Sequence, residues 1–536
     1  MARIAYTGGM PRAPLPKQTN PQSTLQQAVT LHQQGRLDDA ERLYNSVLAA
    51  KRDHFDALHL LGVLMHQRGR SAEALKLIAK ALETGTKSAD ALLNHGNVLF
   101  GMRRFAEALS DYERALALRP DDVELLSNRA NTLCELNRPG DALASFDRAL
   151  ARRPNDPDIL NNRGNALLQL NRAAEALASY DRALAVRPQD AQTLINRGNA
   201  LTDLRRPDEA LASYERVLVT APNNAEAHWN KSLTLLAQGD FARGFAEYEW
   251  RKRRAGATDQ RDFPQPLWLG EDGIAGKTIL LHAEQGYGDT IQFVRYAPLF
   301  AARGAKVVLE VQASLKPLLS GLPGVSVIAG RGEPLPPFDL HCPMMSLPLA
   351  FKTALHTVPA NVPYLQAPDD RLEKWRARLP AGKALRVGLA WSGSATHKND
   401  HNRSIALSRL APLCANDGVQ FVSLQREVRE ADATALRKLP NVYALGEELR
   451  DFADTAAVIA LLDLVISVDT GVAHLAGALG RPVWILLPFI GEWLSDRDDS
   501  PWYPSARLFR QPKVDDWESV ITRVQTELTH AFSPSS

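Results

Sequence analysis

The chain has 536 residues, which at roughly 100–200 residues per domain makes two to four structural units. Hydrophobic residues make up 45% and charged residues 23%, close to the globular average, which excludes wholesale disorder, collagen and a coiled coil. A net charge of +2, from 63 basic and 61 acidic residues, points to neither nucleic acid nor an anionic membrane as principal partner.

The first twenty residues carry Pro11, Pro14 and Pro16 and no apolar run, so residues 1–20 read as a disordered tail and not as a secretory signal. Three widely spaced cysteines, Cys134, Cys342 and Cys414, form neither a disulfide framework nor a zinc cluster and fit a reducing compartment. The most apolar region, Val458 to Val483, is interrupted by Asp463, Asp469 and Arg481, which argues against a membrane span. A soluble, cytoplasmic protein is the expectation.

Residues 21–258 repeat with a period of 34 and no insertion. With Ala89 as position 1, position 8 reads Ala28, Gly62, Gly96, Ala130, Gly164, Gly198 and Ser232. Position 20 reads Ala40, Ala74, Ala108, Ala142, Ala176, Ala210 and Gly244, and position 24 is aromatic in all but the second unit, which has Ile78. Pro120, Pro154, Pro188 and Pro222 close the four central units. Small residues at 8 and 20 let two antiparallel helices approach, the ring at 24 fills the space between neighbours, and proline ends the second helix because it cannot continue the ladder. The pattern resembles the tetratricopeptide repeat, in seven units.

Position 6 is asparagine in five successive units (Asn94, Asn128, Asn162, Asn196 and Asn230) and position 9 in four (Asn97, Asn131, Asn165 and Asn199). Asparagine is a mediocre helix former, so its recurrence on one helix face needs a reason beyond packing. An amide can pair with both polar groups of a peptide unit. The two rows therefore fit a ladder that holds an extended polypeptide by its backbone. The alternative is amides that bond one another between repeats. A similar ladder lines the superhelix of the O-linked GlcNAc transferases.

Composition changes near residue 250, and a polar segment follows, with residues 259–273 read as a linker. Short β-branched runs then alternate with helical stretches: Lys277–His282, Lys306–Val311, Val325–Ala329, Leu385–Trp391, Val419–Leu424, Leu464–Val468 and Val483–Leu487. That rhythm predicts parallel sheets with crossover helices. Two Rossmann-like lobes are expected, 274–365 and 383–536, joined through 366–382 and facing each other over a cleft.

Two turns at strand ends, where ligands of such sheets bind, carry the chemistry. The first runs from His282 through Gly286, Gly288 and Asp289 to Gln292. Ile291 stands where a dinucleotide fingerprint has its third glycine. The second contains Asp469-Thr-Gly471-Val-Ala-His474 and continues to Gly480 and Pro482. A helix starting near Thr470 offers its N–H groups and positive end to a diphosphate.

These residues resemble the ADP-heptose–lipopolysaccharide heptosyltransferases and their relatives, over about 276–530. That family has a Gly-Asp turn after its first strand, matched by Gly288-Asp289. It also has an Asp-(Ser/Thr)-Gly-x-x-His-x-Ala-x-Ala-Leu-x-x-Pro element, matched from Asp469 through Pro482. The resemblance implies a GT-B fold and inverting sugar transfer from a nucleotide-sugar donor. It implies no metal and no cofactor, the sugar nucleotide being a substrate. Carried over residue by residue, Asp289 matches the general base, against the plainer reading of a helix N-cap. Asp469 matches a donor-sugar contact, and Thr470, Gly471 and His474 contacts to the diphosphate, with a packed helical histidine as the alternative for His474. The family's basic residue after the first strand of the second lobe has two candidates here, Lys398 and Arg403, with Arg403 slightly favoured. Gln425, ending the next strand, is a candidate reader of the nucleotide.

Heptosyltransferases have no tetratricopeptide arm. The O-linked GlcNAc transferases have one, but lack the Asp-Thr-Gly-x-x-His element. The leading expectation is a glycosyltransferase whose arm delivers a protein or peptide acceptor. The alternatives are a lipid-linked or polysaccharide acceptor, and a non-catalytic scaffold. No nucleic acid and no membrane span enter any of the three.

Overall fold

The computed structural model describes residues 20–256, 261–380, 385–397, 399–416, 418–491, 494–495 and 497–531. Residues 1–19 of the tail, parts of the two expected connections and Lys398 lie outside the described residues. The chain divides into two compact units between Ala200 and Leu201. Repeat phase and packing thus divide it at different places: the last repeat belongs to the same unit as the two sheets.

The first unit is a run of paired helices. First helices begin at Pro21, Phe55, Ala89, Val123, Pro157 and Ala191, each at position 1 of the 34-residue frame, and second helices at Leu37, Ser71, Phe105, Pro139 and Ala173. The close approach is literal: a Cβ on Gly96 would stand 2.6 Å from the Tyr112 ring, and one on Gly164 2.4 Å from the Tyr180 ring. Asp122 and Asp156 cap their helices by accepting N–H bonds. The turn between the helices of a pair passes through the left-handed region at position 15, at Gly35 (φ +74°), Gly69 (+75°), Asn137 (+57°) and Asn171 (+57°). Glycine and asparagine are the residues that tolerate it.

The second unit holds the seventh repeat, Ala225–Ala237 and Phe241–Tyr248, followed by a 3-10 turn, Glu249–Arg253. Two parallel sheets come next. The first contains β1 (Thr278–His282), β2 (Lys306–Val311), β3 (Val325–Gly330) and β4 (Leu340–Pro343), in the order β3-β2-β1-β4. The second contains β5 (Leu385–Ala390), β6 (Val419–Ser423), β7 (Val442–Ala444), β8 (Leu464–Val468), β9 (Val483–Leu487) and β10 (Ala506–Arg510), in the order β10-β9-β8-β5-β6-β7. The seven expected runs are all strands, within a residue or so at each end. The three additional strands, β4, β7 and β10, are each five residues or shorter. The fold is an α-solenoid followed by an α/β region of two parallel sheets.

Sheet order sets the site. In the first sheet the chain grows from β1 toward β2 and β3 on one side and places β4 on the other. In the second it grows from β5 toward β6 and β7, then returns to β8, β9 and β10 on the opposite side. Each reversal opens a crevice at the strand C-termini, between β1 and β4 and between β5 and β8.

Candidate active site

The β1 turn brings a carboxylate to the first crevice. Asp289 is the third residue of the helix Tyr287–Phe293, not its N-cap, and its Oδ2 accepts the Gly286 N–H at 2.9 Å. That bond reaches back over the turn and aims the carboxylate. Burial pushes the Asp289 pKa up to about 6, against the pull of the Gly286 N–H and with help from the negative charge of Asp469. The group is thereby poised to take a proton near neutrality. Gly288 lies against the helix Gly471–Ala478: a Cβ there would stand 2.7 Å from Cδ2 of His474.

The β8 turn supplies the facing groups. Asp469 follows β8 directly, Thr470 is the N-cap of the helix Gly471–Ala478, and the Thr470 hydroxyl lies 3.2 Å from that of Ser467. Gly471 opens the helix against the Phe452 ring and the Tyr287 Cβ, each 3.5 Å from where its own Cβ would be. His474 Nε2 lies 3.8 Å from Asp469 Oδ1, and Nδ1 makes a 3.0 Å hydrogen bond with the Tyr503 hydroxyl. Burial lowers the His474 pKa to about 4, more than Asp469 restores. The ring is held in place from both sides, and its burial favours the uncharged form.

Positive charge comes from the β5 loop. Arg403 Nη1 donates to the Asp469 carbonyl at 3.3 Å, and its guanidinium lies on Gly393, where a Cβ would come within 2.6 Å. Arg429, which sequence reasoning did not single out, donates to the Gly393 carbonyl at 3.1 Å and pairs with Asp400 in the same loop. Gln425 braces the ends of β5 and β6: its Oε1 accepts the Ser392 N–H at 3.2 Å and its Nε2 donates to the Glu427 carbonyl. Among the described residues no group of three or more His, Cys, Asp and Glu is placed to hold a metal ion.

A second set of residues unmarked in the sequence ties the last repeat to the β1 turn. Arg251 donates to Glu284 Oε2 at 2.7 Å, to Glu249 Oε1 at 2.7 Å and to the Ser346 hydroxyl at 2.8 Å, with both Arg251 and Glu284 buried. Gln285 Nε2 donates to the Tyr248 hydroxyl at 3.2 Å. No local motif could have announced these contacts, because Arg251, Glu284 and Ser346 come from separate segments. Arg295 does similar work between the sheets, donating to the Trp502 carbonyl at 2.7 Å and to the Tyr364 hydroxyl at 2.9 Å.

A cleft of about 660 Å³ is lined by Asp289, Asp469, His474, Glu284, Gln285 and Arg251, while Arg403, Thr470, Gly471 and Gln425 stand behind that lining. Lining residues also come from the last repeat, including Trp229 and Leu233, and from the segment around Trp502.

In the first unit the asparagine rows are hydrogen-bonded. Asn97 Oδ1 accepts from the Tyr112 hydroxyl at 2.8 Å and from Asn128 Nδ2 at 3.0 Å, and Asn165 Oδ1 accepts from the Tyr180 hydroxyl at 2.7 Å. Asn196 Nδ2 donates to Asn161 Oδ1 at 2.9 Å, Asn161 Nδ2 to Asn162 Oδ1 at 3.3 Å, and Asn94 Nδ2 lies 2.9 Å from His59 Nε2. The rows are thus braced from repeat to repeat and by the position-24 tyrosines. Asn131 and Asn199 occupy the same position-9 row, on the helices Val123–Glu135 and Ala191–Asp203. Asn230 lies in the second unit, on the helix that carries Trp229 and Leu233.

Tetratricopeptide-repeat families match residues 31–93, 87–155, 127–191 and 195–256, and glycosyltransferase family 9 (heptosyltransferase) matches residues 417–486. The chain therefore joins a tetratricopeptide array to a segment similar to glycosyltransferase family 9, which spans β6 to β9 and contains Asp469 and His474. Protein FlbA of Caulobacter vibrioides is 28% identical over 322 residues, covering 56% of this chain and 54% of that protein. The chain thus spans about half the length of the curated relative it matches. A tetratricopeptide repeat protein from Parabacteroides merdae is 18% identical, with a TM-score of 0.39 over 44% of this chain and 94% of that one. PilF of Pseudomonas aeruginosa is 20% identical, with a TM-score of 0.35 over 39% and 94%. Among the described residues no helix is long and apolar enough to cross a membrane.

Proposed function

We propose that the protein is an inverting, metal-independent glycosyltransferase that moves a sugar from a nucleotide-sugar donor to a hydroxyl of a protein or peptide acceptor. The observation that carries this reading is the Asp289 carboxylate, raised toward neutrality, in one cleft with Asp469. Asp289 takes the proton of the acceptor hydroxyl as its oxygen attacks the anomeric carbon. The bond from that carbon to the diphosphate breaks, and the nucleoside diphosphate leaves with the electron pair. Arg403 and the N–H groups at the start of the helix Gly471–Ala478 meet the charge that develops there. Asp469 orients the donor sugar, with His474 and Thr470 beside it and Gln425 near the base. No cofactor takes part.

The asparagine rows are the proposed peptide-holding surface, since an amide with one contact to a neighbour retains further donors and acceptors. Cysteines too few and too dispersed for a disulfide framework support a reaction in the cytoplasm. The test is a donor panel of UDP-GlcNAc, UDP-glucose, GDP-sugars and ADP-heptose, scored for binding and for hydrolysis by wild type and by Asp289→Asn. Turnover of one donor that Asp289→Asn loses while keeping donor affinity supports the reading. Turnover of none, or full activity in the variant, overturns it.

A further inference from the structure

Asp289 and Asp469 stand on turns from different sheets, so their separation is set by whatever joins the two helices that follow. At the near end Gly288 lies on the ring of His474. At the far end one residue between the sheets touches both helices. The Tyr364 N–H donates to the Ala478 carbonyl at 3.0 Å, and the Tyr364 hydroxyl donates to the Ile291 carbonyl at 2.8 Å. Arg295 holds that hydroxyl in turn, donating to it from Nη2 at 2.9 Å. From Nη1 it donates to the carbonyls of Trp502 at 2.7 Å and Pro359 at 3.1 Å, and from Nε to the Gln292 carbonyl at 2.7 Å. Its guanidinium also lies over the rings of Tyr364 and Tyr503, 4.5 and 4.7 Å from their centroids. The Tyr503 hydroxyl is the one that meets Nδ1 of His474 at 3.0 Å.

Arg295 is 4% exposed, and among the described residues no carboxylate pairs with it. Desolvating a guanidinium is costly, and an apolar side chain of similar volume would fill the same space at lower cost. An apolar side chain could not reproduce the planar fork that fixes four oxygens from separate segments relative to one another. We propose that Arg295 is a positioning residue: acting through Tyr364 and Tyr503, it sets the Asp289 turn at its working distance from the Asp469–His474 turn. This rests on the glycosyltransferase reading above. Arg295 stands behind the cleft lining, so it reaches the reaction only through the residues it holds. Asp289 can take the acceptor proton only where the acceptor oxygen also faces the donor carbon, and a misplacement of about 1 Å costs on the order of 10²-fold.

The test uses the full chain. Arg295→Met and the milder Tyr364→Phe, which removes a single hydroxyl, are compared with wild type, with folding checked by thermal melting. Hydrogen–deuterium exchange should rise in residues 287–293 and 471–478 of both variants and stay unchanged in the repeats of the first unit. Hydrolysis of whichever panel donor is turned over should fall roughly 10- to 100-fold in kcat for Arg295→Met and less for Tyr364→Phe, with donor affinity nearly unchanged. Arg295→Lys keeps the charge without the fork and should restore little. In an Asp289→Asn background the same substitutions should cost little more, because an absent carboxylate cannot be misplaced. Unaltered exchange in both helices of both variants would overturn the proposal, whether or not any donor reacts. Equal losses of kcat with and without Asp289 would also overturn it, reducing Arg295 to a stabilising contact. Exchange that rises only in the two helices of a chain that turns over no donor would sink the glycosyltransferase reading and leave the positioning role standing.

Discussion

The fifth and seventh repeats share one 34-residue frame and serve different ends. In the fifth, Gly164 lets Tyr180 lie against the first helix, and the tyrosine hydroxyl donates to Asn165. In the seventh, Ser232 replaces the glycine, Leu233 replaces the asparagine, and the hydroxyl of the corresponding Tyr248 accepts from Gln285 in the β1 turn. The helix-pair frame is fixed by small residues and a ring. The ring's polar end meets Asn165 in the fifth repeat and Gln285 in the seventh. The comparison teaches that repeat identity, read from packing residues, does not fix what the ring's hydroxyl meets.

The largest effect should come from the turn that the seventh repeat grips. Asp289→Asn is expected to lower turnover by roughly 10²–10⁴-fold with donor affinity nearly unchanged, measured by steady-state kinetics and calorimetry. The same carboxylate sets the pH dependence. Its pKa is raised to about 6, and the base acts unprotonated. Wild-type kcat/KM should therefore rise with pH up to about 6, level off above it, and fall roughly tenfold per pH unit below. A profile still flat at pH 4.5 would mean that Asp289 is not the base.

Next in size is the grip itself. Arg251→Met leaves the Glu284 carboxylate buried without its partner, which should cost about 3–5 kcal/mol of stability. The melting transition of the second unit should drop, and a transition unchanged in temperature would show the contact to be incidental. In the fifth repeat, Gly164→Ala drives a methyl group into the Tyr180 ring and should cost about 1–3 kcal/mol, while Ser232→Ala at the same phase of the seventh should cost less. Equal losses at both positions would erase the distinction between the repeats. The smallest effect is expected from the amides. Replacing Asn128, Asn162 and Asn196 together by alanine should weaken binding of an unstructured polypeptide about tenfold, at about 0.5 kcal/mol per net hydrogen bond. Lowered stability with unaltered binding would give the rows a bracing role alone.

The sequence made the repeats legible to the residue, because each helix starts at a fixed phase and each packing position repeats. It also made most strands legible, since β2, β8 and β9 are dominated by valine, isoleucine and leucine. β4, β7 and β10 escaped for physical reasons. β4 ends on Pro343, β7 has three residues, and β10 carries Arg507 and Arg510 among its five. In the site, the turns bearing Asp289 and Asp469 were readable because a strand, a turn and a helix start follow in order. Arg251, Arg295, Arg429 and Tyr503 were not, because each acts through partners far along the chain that only the folded packing brings together. The left-handed residue at position 15 was readable in principle, as a recurring glycine or asparagine after each first helix. Arg103 and Arg205 at that position interrupt the signal.

The hydroxyl of Tyr248 has a consequence for how such a chain can change length. An internal repeat touches only the units before and after it, so whole 34-residue cassettes can be gained or lost there with little more than a new nearest-neighbour seam. The last cassette has no such freedom. Removing it would strip one wall from the cleft and unhook Gln285 and Glu284 in one stroke, so the array can change length at its internal repeats but not at its last.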